Sequence, residues 1–202
     1  SPLEVGSVMK VLTAAAALDQ GVVTTKTTYY DPSKYKIDGY TIENIEEDGG
    51  AGTRSLADIL QLSLNTGATW LLMQMGGGQI NAKARSIWHD YMTSHYRLGK
   101  LTGVEQGYEA GGSIPDPKKG FGLNLQFANT AFGQGMSATP LQMAAALSSV
   151  INGGTYYRPR LIEATIDDDG KTSTKQPEIV RKGVIKPGVS KTVKSLMEYV
   201  IE

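Results

Sequence analysis

An apolar, alanine-rich run opens behind Gly6, passes through Val8, Met9, Val11, Leu12 and Ala14-Ala15-Ala16-Ala17-Leu18, and meets Gly21 as a stop. This pattern predicts a buried helix over about 6–19. From 22 to 53, short β-prone pieces such as Thr27-Thr28-Tyr29-Tyr30 and Tyr40-Thr41-Ile42 alternate with the turn formers Asp31-Pro32, Asp38-Gly39 and Asp48-Gly49-Gly50. That alternation predicts an irregular loop with small hairpins. Ser55 reads as the N-cap of a helix over 56–62. Ser63-Leu64-Asn65-Thr66-Gly67 then makes a polar corner before the apolar run resumes over 68–73. A third helix is predicted over 80–96, between the glycines at 76–78 and Gly99, and 100–122 reads as a long loop. Helical spacing returns over 123–132 and breaks at Gly133-Gln134-Gly135. Thr139-Pro140 starts a helix that ends at Gly153-Gly154. Two strands, 155–166 and 178–185, are predicted around the polar segment 167–171, followed by a last helix over 188–201.

Composition narrows the classes. The chain has 202 residues, 40% of them hydrophobic, which suits one domain or a large part of one. Lys plus Arg equals Asp plus Glu at 20 each, so bulk charge points to neither nucleic acid nor an anionic membrane. With no cysteine, disulfides, thiolate metal sites and a cysteine nucleophile are excluded. No apolar run is long enough to span a bilayer, and no basic-then-apolar signal opens the sequence. His89 and His95 lack acid partners at recurring metal-ligand spacing and read as ordinary helix residues.

The chemistry lies at the start of the first helix. Ser7-Val8-Met9-Lys10 has the form Ser-x-x-Lys, and a separation of three residues puts both side chains on one helix face. A serine hydroxyl is a weak nucleophile until a neighbouring base takes its proton, and a lysine whose pKa is lowered by burial can be that base. The helix start adds unpaired N–H groups and positive dipole for an anionic intermediate. The same four residues also fit a plain helix start, with Ser7 as cap and Lys10 solvated. Ser63 and Asn65 likewise fit a plain turn.

Ser7-x-x-Lys10 followed by Ser63-x-Asn65 resembles the first two of three active-site motifs of penicillin-binding proteins and serine β-lactamases. Five further segments fall in order: Leu101-Thr102-Gly103-Val104-Glu105, Gly112-Ser113-Ile114-Pro115-Asp116-Pro117, Ala131-Phe132-Gly133-Gln134-Gly135 with Thr139-Pro140-Leu141-Gln142-Met143-Ala144, Asn152-Gly153-Gly154 and Arg158-Pro159. Together they are similar to the transpeptidase domain of class B penicillin-binding proteins over nearly the whole chain. Val5 stands where proline is common. The family's third motif, Lys-Thr/Ser-Gly on a strand, would follow the last helix and is not in the sequence. The membrane anchor, pedestal and opening strands would precede Ser1, so both ends read as cuts. The expectation is one partial penicillin-binding transpeptidase domain over 1–202. Its fold would be α/β (α+β), β-lactamase/transpeptidase-like and incomplete: a mostly helical subdomain with a small antiparallel β-hairpin and most of the central sheet missing. The loss of sheet is expected to expose the apolar face of the Ser7 helix.

The resemblance implies a peptidoglycan D,D-transpeptidase at the cell membrane, with its catalytic domain on the extracytoplasmic side. It implies Ser7 as nucleophile, Lys10 as base, Ser63 as proton relay toward the leaving D-Ala or a β-lactam nitrogen, and Asn65 as a hydrogen-bond partner of Lys10 and the substrate amide. Implied partners are peptidoglycan stem peptides, β-lactam antibiotics and a glycosyltransferase of the wall-synthesis machinery. No nucleic acid, metal or organic cofactor is called for. The Ser7 N–H is one oxyanion donor, and in the family the other comes from the third-motif strand. Lacking one donor costs about 2.7–4 kcal/mol, so the chain as given is expected to be weakly active or inactive. Two alternatives share these residues: a serine β-lactamase or β-lactam sensor, and a non-catalytic transpeptidase-like scaffold of a wall-synthesis complex.

Overall fold

The computed structural model describes residues 5–45, 49–103, 111–159, 165–173 and 176–201. In chain order the elements are α1 (Val5–Asp19), β1 (Thr28–Asp31), β2 (Lys34–Ile37), β3 (Tyr40–Glu43), β4 (Gly52–Ser55), α2 (Leu56–Gln61), α3 (Asn65–Met75) and α4 (Ala82–Asp90), which runs into a π-helical turn (Tyr91–His95). Then come α5 (Leu123–Thr130), α6 (Pro140–Ile151), β5 (Tyr156–Tyr157), β6 (Thr165–Ile166), β7 (Thr172–Ser173), β8 (Ile179–Arg181) and α7 (Pro187–Ile201).

The alanine-rich run makes α1 the hub. A helix that is apolar all round must be covered all round, and every residue from 8 to 17 is buried. α2, α3, α6 and α7 supply the cover, packing α1 with Leu12, Leu71, Leu72, Ala146 and Val193 in one cluster. The exposed apolar face expected for this helix is therefore not found. Buried side-chain hydrogen bonds tie the hub to distant segments. Thr13 Oγ1 donates to the Ala131 carbonyl at 2.8 Å, and Tyr96 Oη donates to the Leu12 carbonyl at 2.7 Å. Trp88 Nε1 finds Thr130 Oγ1 at 3.0 Å.

Local chemistry accounts for the ends. Gly21, at φ 71°, closes α1 in a Schellman turn, with Val22 N–H bonded to the Ala17 carbonyl and Gly21 N–H to the Leu18 carbonyl. Ser55 with Asp58 and Thr139 with Gln142 form capping boxes that start α2 and α6. Asp38 and Gly39, both at positive φ, turn the hairpin that pairs β2 with β3, and β1 pairs outside it with β4.

Three expectations are corrected. The polar corner between α2 and α3 is shorter than expected, because α3 already starts at Asn65. The third helix starts at Ala82, capped by Asn81, and changes to π form after Asp90. The two long strands become two short pairs, β5 with β8 and β6 with β7, the latter closed by the Asp167 to Gly170 turn. The described residues hold four two-stranded antiparallel pairs, of which β1–β4 and β2–β3 fall where small hairpins were expected. Residues 160–164, Asp48 and Val104-Glu105, which carried sequence expectations, lie outside the described residues.

The close cover on α1 makes a direct prediction. Ala15 has no exposed surface, so Ala15→Leu must push an isobutyl group into filled space and should cost about 1–3 kcal/mol. Urea denaturation measures this, and a loss below about 0.5 kcal/mol would show the packing is loose.

Candidate active site

Ser7 lies in the first turn of α1, where backbone N–H groups have no carbonyl four residues earlier in the helix. Lys10 follows one turn later on the same face and is only 5% exposed. A cleft of about 520 Å³ is lined by Ser7, Lys10, Ser63 and Asn65 together with Phe132, Gly133 and Gln134. Val5, Ile45 and Leu62 add exposed apolar surface to the lining, and Gly6 completes it. All four sequence-derived candidates thus face one space.

Lys10 joins the two motifs. Its Nζ lies 2.7 Å from Ser63 Oγ and 3.1 Å from the Ser63 carbonyl oxygen. Ser63 offers both groups because its backbone is left-handed, at φ 53°. The reason is in the end of α2. Leu64 N–H returns to the Ile59 carbonyl at 3.0 Å, the long bond of a Schellman turn, and this places residue 63 at the left-handed position. α1 and α3 end in the same kind of turn on Gly21 and Gly77, at φ 71° and 81°. At Ser63 a side chain occupies the position that α1 and α3 give to glycine. Left-handed backbone costs a residue with a Cβ about 1–2 kcal/mol.

Asn65, 5% exposed, donates its amide N–H to the Glu43 carbonyl at 3.2 Å, which anchors the corner to the end of β3. On the other side of Ser7, the segment after α5 crosses α1 in close backbone contact. A Cβ on Gly133, which sits at φ 90°, would lie 3.0 Å from Gly6 Cα, and a Cβ on Gly6 would lie 3.1 Å from the Phe132 carbonyl oxygen. The hydrophobic pattern reads Gly133-Gln134-Gly135 as a helix break, and the family resemblance includes the segment without giving it a role at the site. The paired glycines, one on each side of the crossing, were the available signal that Phe132, Gly133 and Gln134 belong to the cleft.

His95 bonds the Val184 carbonyl through Nδ1 at 2.7 Å, pairs with Asp90 at 3.2 Å and stacks on Tyr91. His89 packs toward Phe127. Both lie on other elements than those lining the cleft. Among the described residues no group of three or more His, Asp or Glu side chains could hold a metal ion, and no helix is long and apolar enough to cross a membrane.

The left-handed serine separates stability from chemistry. Ser63→Gly and Ser63→Ala both delete the hydroxyl that Lys10 touches, but only glycine removes the backbone strain. The glycine variant should be about 1 kcal/mol more stable than the alanine variant, reversing the usual order of the two residues. Equal thermal unfolding midpoints would refute strain at this turn.

The geometry has counterparts among known proteins. A sequence profile described as the penicillin binding protein transpeptidase domain matches residues 1–202. Stage V sporulation protein D of Bacillus subtilis is 33% identical over 204 residues, covering 100% of this chain and 30% of that protein. The probable peptidoglycan D,D-transpeptidase FtsI of Caulobacter vibrioides is 28% identical over 197 residues, covering 93% of this chain and 31% of that protein. Penicillin-binding protein 3 of Mycobacterium tuberculosis, solved in complex with aztreonam, superposes with a TM-score of 0.78 at 27% identity, covering 100% of this chain and 42% of that one. The chain therefore spans about a third of the length of the curated relatives it matches. Matched by the profile from its first residue to its last, and carrying Ser7, Lys10, Ser63 and Asn65 around one cleft, the chain belongs to the penicillin-binding protein transpeptidase family.

Proposed function

We propose that this chain is the acyl-transfer part of a peptidoglycan D,D-transpeptidase, with Ser7 as nucleophile and β-lactams as covalent inhibitors. The observation that carries the reading is the 2.7 Å contact between Lys10 Nζ and Ser63 Oγ, one helical turn from Ser7 in a shared cleft. It supplies the Lys10–Ser63 leg of a proton path, with Ser7 bordering the same cleft.

In the first step Ser7 Oγ bonds to the carbonyl carbon of the penultimate D-Ala while its proton passes to neutral Lys10. The Ser7 N–H, at the positive end of α1, faces the developing oxyanion. The carbon–nitrogen bond then breaks, and the proton moves from Lys10 through the Ser63 hydroxyl to the departing D-Ala nitrogen. An acyl ester on Ser7 remains. In the second step the amine of a neighbouring stem peptide attacks the ester, its proton returns along the same path, and Ser7 is released as the alcohol. Dividing the transfer in two needs only the activated serine and its base. A β-lactam enters the first step, and its ring nitrogen, still tethered after ring opening, keeps the amine from leaving. Asn65, fixed to the Glu43 carbonyl, borders the path and is assigned to holding the substrate amide. The proposed setting is the extracytoplasmic face of the cell membrane, beside a glycosyltransferase that makes the glycan strands.

Intact mass spectrometry of the full-length protein after exposure to a labelled penicillin tests this reading. One adduct is expected, mapping to the Ser7 peptide and absent from Ser7→Ala. Lys10→Ala should slow its formation by about 10²–10⁴-fold, the range for a lost general base. An adduct that survives Ser7→Ala would overturn the assignment. Rapid hydrolysis of the penicillin with no lasting adduct would favour a β-lactamase.

A further inference from the structure

Behind the cleft wall, and outside the mechanism above, lies a carboxylate that is 1% exposed: Asp31, at the end of β1. It accepts three hydrogen bonds. Tyr29 Oη and Thr66 Oγ1 donate to Oδ2 at 2.9 and 2.8 Å, and the Ser33 N–H donates to Oδ1 at 2.8 Å. Taking a carboxylate out of water is costly even when it is well bonded, and apolar residues of similar volume often serve stability as well. What a buried carboxylate adds is direction, because an ionised carboxylate only accepts hydrogen bonds.

That direction is passed along a chain of bonds. Thr66 Oγ1 has both atoms of the Asn44 amide in range, Nδ2 at 3.1 Å and Oδ1 at 3.4 Å; the shorter 2.8 Å bond to Asp31 takes the hydroxyl proton, which leaves Oγ1 to accept from Nδ2. This orientation turns Asn44 Oδ1 toward the Thr66 backbone N–H, which donates to it at 3.2 Å. Asn44 therefore caps the first turn of α3 from another segment, since the N-cap residue itself, Leu64, has no side-chain cap. The same turn carries Asn65, whose amide reaches Glu43, next to Asn44 in sequence. The turn cannot slide. A Cβ on Gly67 would meet Tyr29 Oη at 2.9 Å and Ile59 Cγ1 at 2.6 Å, and Tyr29 is itself stacked on Trp70 at 4.0 Å. Burial, together with the Asp31 charge, drives the Tyr29 hydroxyl far above its ordinary pKa, which keeps it a donor to Asp31.

We infer that Asp31, acting through Thr66 and Asn44, is a positioning residue that sets the placement of Ser63 and Asn65 against Lys10. The inference rests on the acyl-transfer reading of the cleft. A carboxamide at position 31 could donate to Thr66, releasing the Thr66 proton and allowing the Asn44 amide to reverse. The α3 turn would then lose its cap while the apolar core stayed filled.

Saturation kinetics of penicillin acylation on the full-length protein, with thermal unfolding measured alongside, test the inference on Asp31→Asn, Thr66→Val and Thr66→Ser. Asp31→Asn and Thr66→Val should lower the limiting acylation rate constant about tenfold or more, with little change in the concentration for half-saturation, since misplacing catalytic groups by about an ångström can cost 10²-fold. Thr66→Ser, which keeps the hydroxyl, should stay within about twofold of wild type. Should Asp31→Asn fail to fold, the nearly isosteric Thr66→Val decides. An unchanged limiting rate in the folded variants overturns the inference and leaves the acyl-transfer reading intact, as does a Thr66→Ser loss as large as that of Thr66→Val. Failure of the wild type to form a Ser7 adduct overturns both.

Discussion

The contact between Lys10 and Ser63 is the constraint that the rest of the site serves. It joins residues 53 apart in sequence, one on a largely buried helix and one on an exposed turn, and each side needs its own support. The lysine stem is held because α1 is enclosed by four helices. The serine is held because a Schellman turn fixes its backbone, while the first turn of α3, just beyond it, is tied to β1 and β3 by Thr66, Asn44 and Asn65. Neither half alone would place the two groups at hydrogen-bonding distance.

The cleft gathers the features that packing alone would not choose. A lysine is buried among valines and alanines, a serine occupies a left-handed position, a carboxylate is sealed behind the wall, and two backbones cross at a pair of glycines. Such departures cluster where function needs a fixed geometry and are sustained by regular structure elsewhere. Here that structure is the Ala14 to Ala17 block, the two capping boxes and the glycine-ended helices.

Elements whose signals are local were legible in the sequence. Ser55 with Asp58, Thr139-Pro140 with Gln142, and Gly21 each carry their own cap or stop, and the structure places α2, α6 and the end of α1 accordingly. The four candidate residues could be named because two spacings, each ambiguous alone, fall in the order of the family's motifs. The start of α3 was misread because its cap is the side chain of Asn44, which no pattern around Asn65 reveals. The strand lengths over 155–185 were misread because β-prone composition does not say which residues find partners: β5 and β8 pair over two or three residues while β6 and β7 close a hairpin between them. Phe132 and Gln134 were missed because a cleft wall built by a backbone crossing has no side-chain signature beyond the glycines that permit it.

The enclosure of α1 also governs when this protein can become itself. The bonds that fix this helix come from far downstream: Thr13 waits for Ala131, 118 residues later, and Asp19 for Lys186, 167 residues later. Loop closure over such separations is slow, so an apolar helix must persist without its cover until those downstream segments have arrived. Ser7 is thus made well before the segments that enclose its helix. In that interval α1 is the segment most open to aggregation or to capture by a chaperone.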